Sequence, residues 1–173
     1  MEEIFRGTSR LPKGRVTEIH KTGDLLLTIS GLLKKHLYYK DKRYPLLIAT
    51  WVLGTYVYPS FKYYGYLWVN SPARRCGKSL LLDILTHLCF NATSRLSNVT
   101  EASIFRLADT GKTLIIDELE NLRGEDKDKY GAVMSILNAG FQSDGKVPRV
   151  EKSKKGEFRV VDFNVFCPKV LAG

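Results

Sequence analysis

Four side chains in this sequence have the types and spacing to handle a phosphate ester. Lys78 and Ser79 follow Gly77 directly, and Asp117 and Glu118 form an adjacent carboxylate pair further along the chain. An ammonium placed after a glycine turn reaches phosphate oxygens, and the neighbouring hydroxyl can sit on Mg²⁺. One carboxylate of a pair can hold that metal, and its neighbour can polarise an attacking water. The division of labour predicted here is Lys78 and Glu118 as catalytic groups, with Ser79 and Asp117 at the metal.

The elements that must position these groups can be read around them. Tyr64-Gly65-Tyr66-Leu67-Trp68-Val69-Asn70 is an apolar, aromatic run that reads as a buried strand, and Leu80 to Leu88 reads as a helix. Between them lies Ser71-Pro72-Ala73-Arg74-Arg75-Cys76-Gly77-Lys78-Ser79. A strand, a tight turn ending in Gly-Lys-Ser and a helix are the parts of a phosphate-binding P-loop. The turn and the helix N-terminus aim backbone N–H groups at one place, which attracts anions. Pro72, Ala73, Arg74, Arg75, Cys76, Gly77, Lys78, Ser79 and Leu80 are therefore the candidate nucleotide-binding residues. Pro72 stands where the pattern G-x-x-x-x-G-K-S/T has its leading glycine. The second signal is Thr113-Leu114-Ile115-Ile116-Asp117-Glu118, an apolar run that reads as a buried parallel strand delivering two carboxylates at its C-terminal edge. Ligands bind at that edge in open α/β sheets. Either motif alone is weak, and the two together are much stronger.

The remaining chain supplies the frame. Leu25, Leu26, Ile29, Leu32, Leu33 and Leu37 recur at helical spacing, with Asp24 expected as the N-cap. A second helix is predicted from Tyr44-Pro45 towards Tyr56, apolar nearly all round and so buried. The aromatic cluster Tyr56, Tyr58, Phe61, Tyr63, Tyr64, Tyr66 and Trp68 suits core packing, and could also stack on bases. A short strand is expected at 92–96, and helices at 102–108 and about 129–139, the last stopped by Gly140. Val147–Val150 and Phe158–Val161 read as a hairpin with a lysine-rich tip, and Pro148 confines its first arm to an edge. Lys152, Lys154 and Lys155 are its nucleic-acid candidates, a solvated turn being the plain alternative. Lys169–Ala172 reads as another core strand.

With 173 residues, 44% hydrophobic and 26% charged, the chain suits one globular unit with a sizeable core. The net charge of +9 favours polyanion partners. Cys76, Cys89 and Cys167 are odd in number and widely spaced, so neither a disulfide framework nor a zinc site is indicated, and a reducing, cytoplasmic compartment fits. The longest apolar run, Leu46 to Tyr58, falls short of the ~20 residues that span a bilayer, so no membrane association is expected.

Ser71-Pro72-x-x-x-x-Gly77-Lys78-Ser79, Leu114-Ile115-Ile116-Asp117-Glu118, Leu137-Asn138-Ala139-Gly140 and Pro168-Lys169-Val170-Leu171-Ala172-Gly173 occur in that order. Over about Tyr64 to Gly173 the chain resembles the P-loop ATPase domain of phage- and plasmid-type primase/helicase-like proteins and, more broadly, AAA+ and RecA-like ATPases. The resemblance implies a three-layer α/β fold with a mainly parallel central sheet, ATP and Mg²⁺ as ligands, and hydrolysis within a DNA-processing protein that is a homo-oligomer in full length. In related helicases a hairpin just before the sensor strand touches DNA, and Lys152, Lys154 and Lys155 match its tip. Residues 1–63 are then an N-terminal arm and small helical cap, and 64–173 the P-loop NTPase core, cut short at its C-terminal side before any sensor residue or arginine finger. A P-loop kinase and a nucleotide-dependent regulatory or assembly ATPase are the alternatives. Asp117-Glu118 favours water over a kinase acceptor.

Overall fold

The computed structural model describes residues 21–70, 76–120, 127–152 and 156–173. Four strands form its main sheet: β1 (Leu67–Val69), β2 (Ala92–Leu96), β3 (Thr113–Ile116) and β6 (Lys169–Ala172). All are parallel, in the order β1-β6-β3-β2. The last strand in sequence therefore sits between the two that carry the candidate chemistry. Every residue of β3 and of β6 is buried, as expected of a parallel sheet covered on both faces.

Alternation along those strands divides the core. Leu67, Ile115, Val170 and Ala172 face one layer, with Leu81, Leu82 and Leu85 of helix α3 (Lys78–Leu88), Leu33 of α1 (Thr22–His36), and Ile48 and Val52 of α2 (Tyr44–Gly54). Leu114, Ile116 and Leu171 face the other. They meet Ile104, Phe105 and Ala108 of α4 (Glu101–Asp109), and Val133, Ile136 and Leu137 of α5 (Lys127–Ala139). The result is a three-layer α/β arrangement with helices on both faces. The N-terminal helices complete a sheet face and do not form a core of their own. Each fully buried aliphatic side chain contributes about 1.5–3 kcal/mol relative to exposure.

A hairpin, β4 (Lys146–Lys152) and β5 (Phe158–Asn164), stands outside the sheet. Its inward positions are Val147 with Phe163, Arg149 with Val161, and Glu151 with Arg159. Phe163 packs on Phe105 at 4.6 Å between ring centres. Arg149 and Glu151 pair with Glu101 and Arg106 of α4, each at 3.2 Å. Both arms are longer than the sequence predicts. Each is an edge strand, where Pro148 is tolerated.

The predicted N-cap moves. α1 begins at Thr22, and Asp24 lies in its first turn, donating its N–H to the Lys21 carbonyl at 2.9 Å. A carboxylate there still faces the positive end of the helix dipole. α3 begins at Lys78, two residues before the predicted start, and α5 includes Lys127. The aromatic cluster is largely structural. Tyr58 and Tyr64 are buried, Tyr64 donates its hydroxyl to the Trp51 carbonyl (2.6 Å), and Tyr66 donates to Leu137 (2.7 Å). Phe61, Tyr63 and Trp68 remain about half exposed.

One charge lies wholly inside. Lys169, fully buried at the start of β6, donates to the carbonyls of Val165 (2.8 Å), Cys167 (3.1 Å) and Gly140 (3.3 Å), with its ammonium 4.9 Å from the Tyr66 ring centre. Three donors thus meet three acceptors. A Cβ on Gly140 would come within 2.7 Å of that ammonium and 2.5 Å of the Val165 carbonyl, so only glycine fits there.

Two expectations follow. Lys169→Met, which strands three buried carbonyls, should cost about 3 kcal/mol of unfolding free energy by urea titration. Alkali should also unfold the protein. Burial pushes Cys89 up to about 12 from 9.0, Tyr39 up to about 12 from 10.0, and Tyr64 and Tyr66 further up. Groups raised in the folded state contribute stability that is intact below their unfolded values and is lost as pH climbs through the folded ones. Lys169, which burial pulls below its ordinary 10.5, opposes this in part. The urea midpoint should therefore fall between about pH 9 and about pH 12, and less steeply in Cys89→Ala.

Candidate functional site

Because the strands are parallel, the C-terminal ends of β1, β6 and β3 lie at one sheet edge. Val69 is in register with Ala172, Ile116 with Leu171, and the Gly173 N–H donates to the Val69 carbonyl at 3.3 Å. Neighbouring strands lie about 4.8 Å apart, so β6 separates the ends of β1 and β3 by roughly 10 Å.

The chain leaves β1 and enters α3 through Gly77, which has φ +89° and serves as the helix N-cap. Gly77 has no side chain with which to cap this end. The first N–H groups of α3 and the positive end of its dipole thus receive no acceptor from their own N-cap residue. Lys78 and Ser79 are the first two helical residues, and Leu80 follows, 44% exposed. Cys76 is exposed and forms no disulfide. A Cβ on Gly77 would approach Leu37 Cδ2 to 2.7 Å, so the segment after α1 is packed against this turn.

On the other side, β3 delivers Asp117 and Glu118. The Asp117 N–H continues the ladder by donating to Leu96 at 2.9 Å, and Asp117 Oδ1 accepts from the Glu118 N–H at 3.0 Å. Glu118 has φ +59°. A non-glycine residue in that region carries strain, which concentrates at functional sites. The Asp117 side chain is 14% exposed, so its charge is partly withdrawn from water.

Two residues join this group that sequence reasoning left elsewhere. Glu120 Oε1 lies 3.7 Å from the Lys78 Nζ. The Arg95 guanidinium, on β2, is 3.2 Å from Asp83 of α3 and 4.0 Å from Asp117. Exposed pairs of this kind are worth about 0–1 kcal/mol, so Glu120 holds Lys78 weakly against a stronger anion. Glu120 stands in an Asp-Glu-Leu-Glu run, where its spacing from Asp117 could have signalled a third carboxylate. Arg95 offered no signal, since only β2–β3 pairing brings it to Asp117.

Lys78, Ser79, Asp117 and Glu118 are thus carried to one edge by β1–α3 and by β3. Lys152 stands apart, on the outward face of the hairpin with Phe158. Pro72, Ala73, Arg74, Arg75, Lys154 and Lys155 lie outside the described residues. Among the described residues, no three His, Cys, Asp or Glu side chains gather as a metal site, and no helix is long and apolar enough to cross a membrane. The chain matches no protein-family model and no curated protein.

Gly77→Ala should lower stability by about 1–2 kcal/mol, since an L side chain at that φ is strained and must displace Leu37. Chemical denaturation of the variant measures this.

Proposed function

We propose that the chain is a Mg²⁺-dependent, ATP-binding and ATP-hydrolysing module of the P-loop kind, belonging to a DNA-processing protein. The observation that carries this reading is the meeting of a helix N-terminus that starts at a glycine and bears Lys78 and Ser79 with the Asp117-Glu118 pair at one edge of a parallel sheet.

The donor set fits the ligands. Backbone N–H groups of α3 and the Lys78 ammonium suit β- and γ-phosphate oxygens. A hydroxyl and a carboxylate, Ser79 and Asp117, are hard oxygen donors of the type Mg²⁺ takes alongside phosphate and water. When bound, the metal would neutralise charge on the phosphates. Glu118, next along the chain from Asp117, is the base that takes a proton from water. Lys78, now 3.7 Å from Glu120, would exchange that carboxylate for phosphate oxygens. The gap of two strand spacings between the phosphate turn and Asp117 leaves room for a terminal phosphate and a water.

The nucleic-acid part rests on the net charge of +9 and on the hairpin, whose outward face carries Lys146, Lys152 and an exposed Phe158. Basic residues position a polyanion, and an exposed ring can stack on a base.

Lys78→Ala should abolish ATP binding by calorimetry. Glu118→Gln should keep ATP binding while lowering the hydrolysis rate about 10²–10⁴-fold. Phosphate release is measured with and without single-stranded DNA. Unchanged turnover in both variants would remove the reading. Tight binding without turnover in the wild type would convert it to a nucleotide-held regulatory module.

A further inference from the structure

Beside the phosphate turn opens a cleft of about 600 Å³, within the range of small-molecule sites. One wall is Cys76, Gly77 and Lys78, and another is the connector that leads from α1 into α2. That connector brings Tyr38 and Tyr39 to the lining, and the first residue of α2 brings Tyr44. No acidic side chain lines the cleft among the described residues, while Lys40 and Lys78 do.

Elsewhere in the fold Tyr56, Tyr64 and Tyr66 each donate to a backbone carbonyl. At the cleft, Tyr38 is 93% exposed and Tyr44 is 51% exposed. The Tyr39 hydroxyl is buried with no hydrogen-bond partner among the described residues. A buried polar atom without a partner costs about 1–3 kcal/mol unless something supplies one. Burial also holds the Tyr39 hydroxyl up at about 12, so it stays a neutral donor.

We infer that this cleft is the nucleoside end of the site: the α1–α2 connector takes the base and sugar of a nucleotide whose phosphates lie on the Gly77–Lys78 turn. This rests on the phosphate-cradle reading above. The rings of Tyr38 and Tyr44 supply flat surfaces for a base, and the Tyr39 hydroxyl supplies a polar contact to base or sugar. Contact between Leu37 and the turn couples the connector to the phosphates. The absence of acidic lining suits an anionic ligand. The connector lies in the N-terminal segment, where no sequence motif signals a ligand.

Calorimetric titration with ATP and with inorganic triphosphate tests the assignment. Removing both rings in a Tyr38→Ala/Tyr44→Ala variant should weaken ATP about 10-fold, because stacking on one base is worth about 1–3 kcal/mol, and should leave triphosphate binding unchanged. Tyr39→Phe, which removes only the hydroxyl, should weaken ATP about 3–10-fold with the same selectivity. Both exposed rings can be removed without opening the core, and retained circular dichroism and urea midpoint check this. Lys78→Ala separates the two readings. If it leaves both ligands bound as tightly as before, the phosphate cradle fails, and this inference with it. If it abolishes both while the tyrosine variants keep the wild-type ratio of ATP to triphosphate affinity, the nucleoside assignment alone is overturned. Equal affinity of the wild-type protein for ATP and triphosphate overturns it as well.

Discussion

The Lys169 ammonium is the interaction on which the arrangement turns. An ion in the protein interior costs several kcal/mol unless its donors are satisfied. Here the last residue of one turn after α5, the exit of the hairpin and the approach to β6 each present a carbonyl to it. The Val165 and Cys167 carbonyls belong to the short connector before β6, while Gly140 follows α5, so the ammonium ties that connector to the end of the helix. Fixing them fixes where β6 enters the sheet, between β1 and β3. That placement sets the spacing between the Gly77 turn and the carboxylates.

Two local conformations complete the edge. Gly77 takes a left-handed φ, which turns the chain out of the strand and into α3. Glu118 takes a comparable φ with a side chain attached, so the backbone holds a mildly unfavourable shape where β3 hands over its carboxylates. Each is flanked by a tertiary contact. Leu37 closes on the first, and the Asp117 ladder bond to Leu96 precedes the second. The electrostatics are equally shared: Lys78 faces Glu120, and Arg95 sits between Asp83 and Asp117. Such exposed pairs are weak enough to be exchanged for a ligand.

Much of the fold was legible in the sequence. The apolar runs of β3 and β6 and the helical spacing in α1, α3 and α4 correspond to elements present, since burial on both sheet faces and on one helix face imposes those periods. Boundaries were less legible. Asp24 resembles a cap, yet the helix starts earlier, because a backbone turn at Lys21 can begin it without one. The hairpin arms extend further than their valines: Glu151, beyond the predicted end of the first, pairs with Arg106 of α4, and Phe163, beyond that of the second, packs on Phe105.

The sequence by itself determined which residues could carry phosphate and metal chemistry. Lys78, Ser79, Asp117 and Glu118 declare themselves because such chemistry needs particular groups directly after particular local elements. Tertiary structure alone decided what surrounds them. Strand order is a pairing between segments remote in the chain, so the position of β6, the approach of Arg95, and the cleft between the tyrosine connector and the Gly77 turn have no local signature. Lys169 makes the same point most sharply. Its residue type argues for solvent, and only the carbonyls of Val165, Cys167 and Gly140, the last brought in from the end of α5, make its burial tolerable.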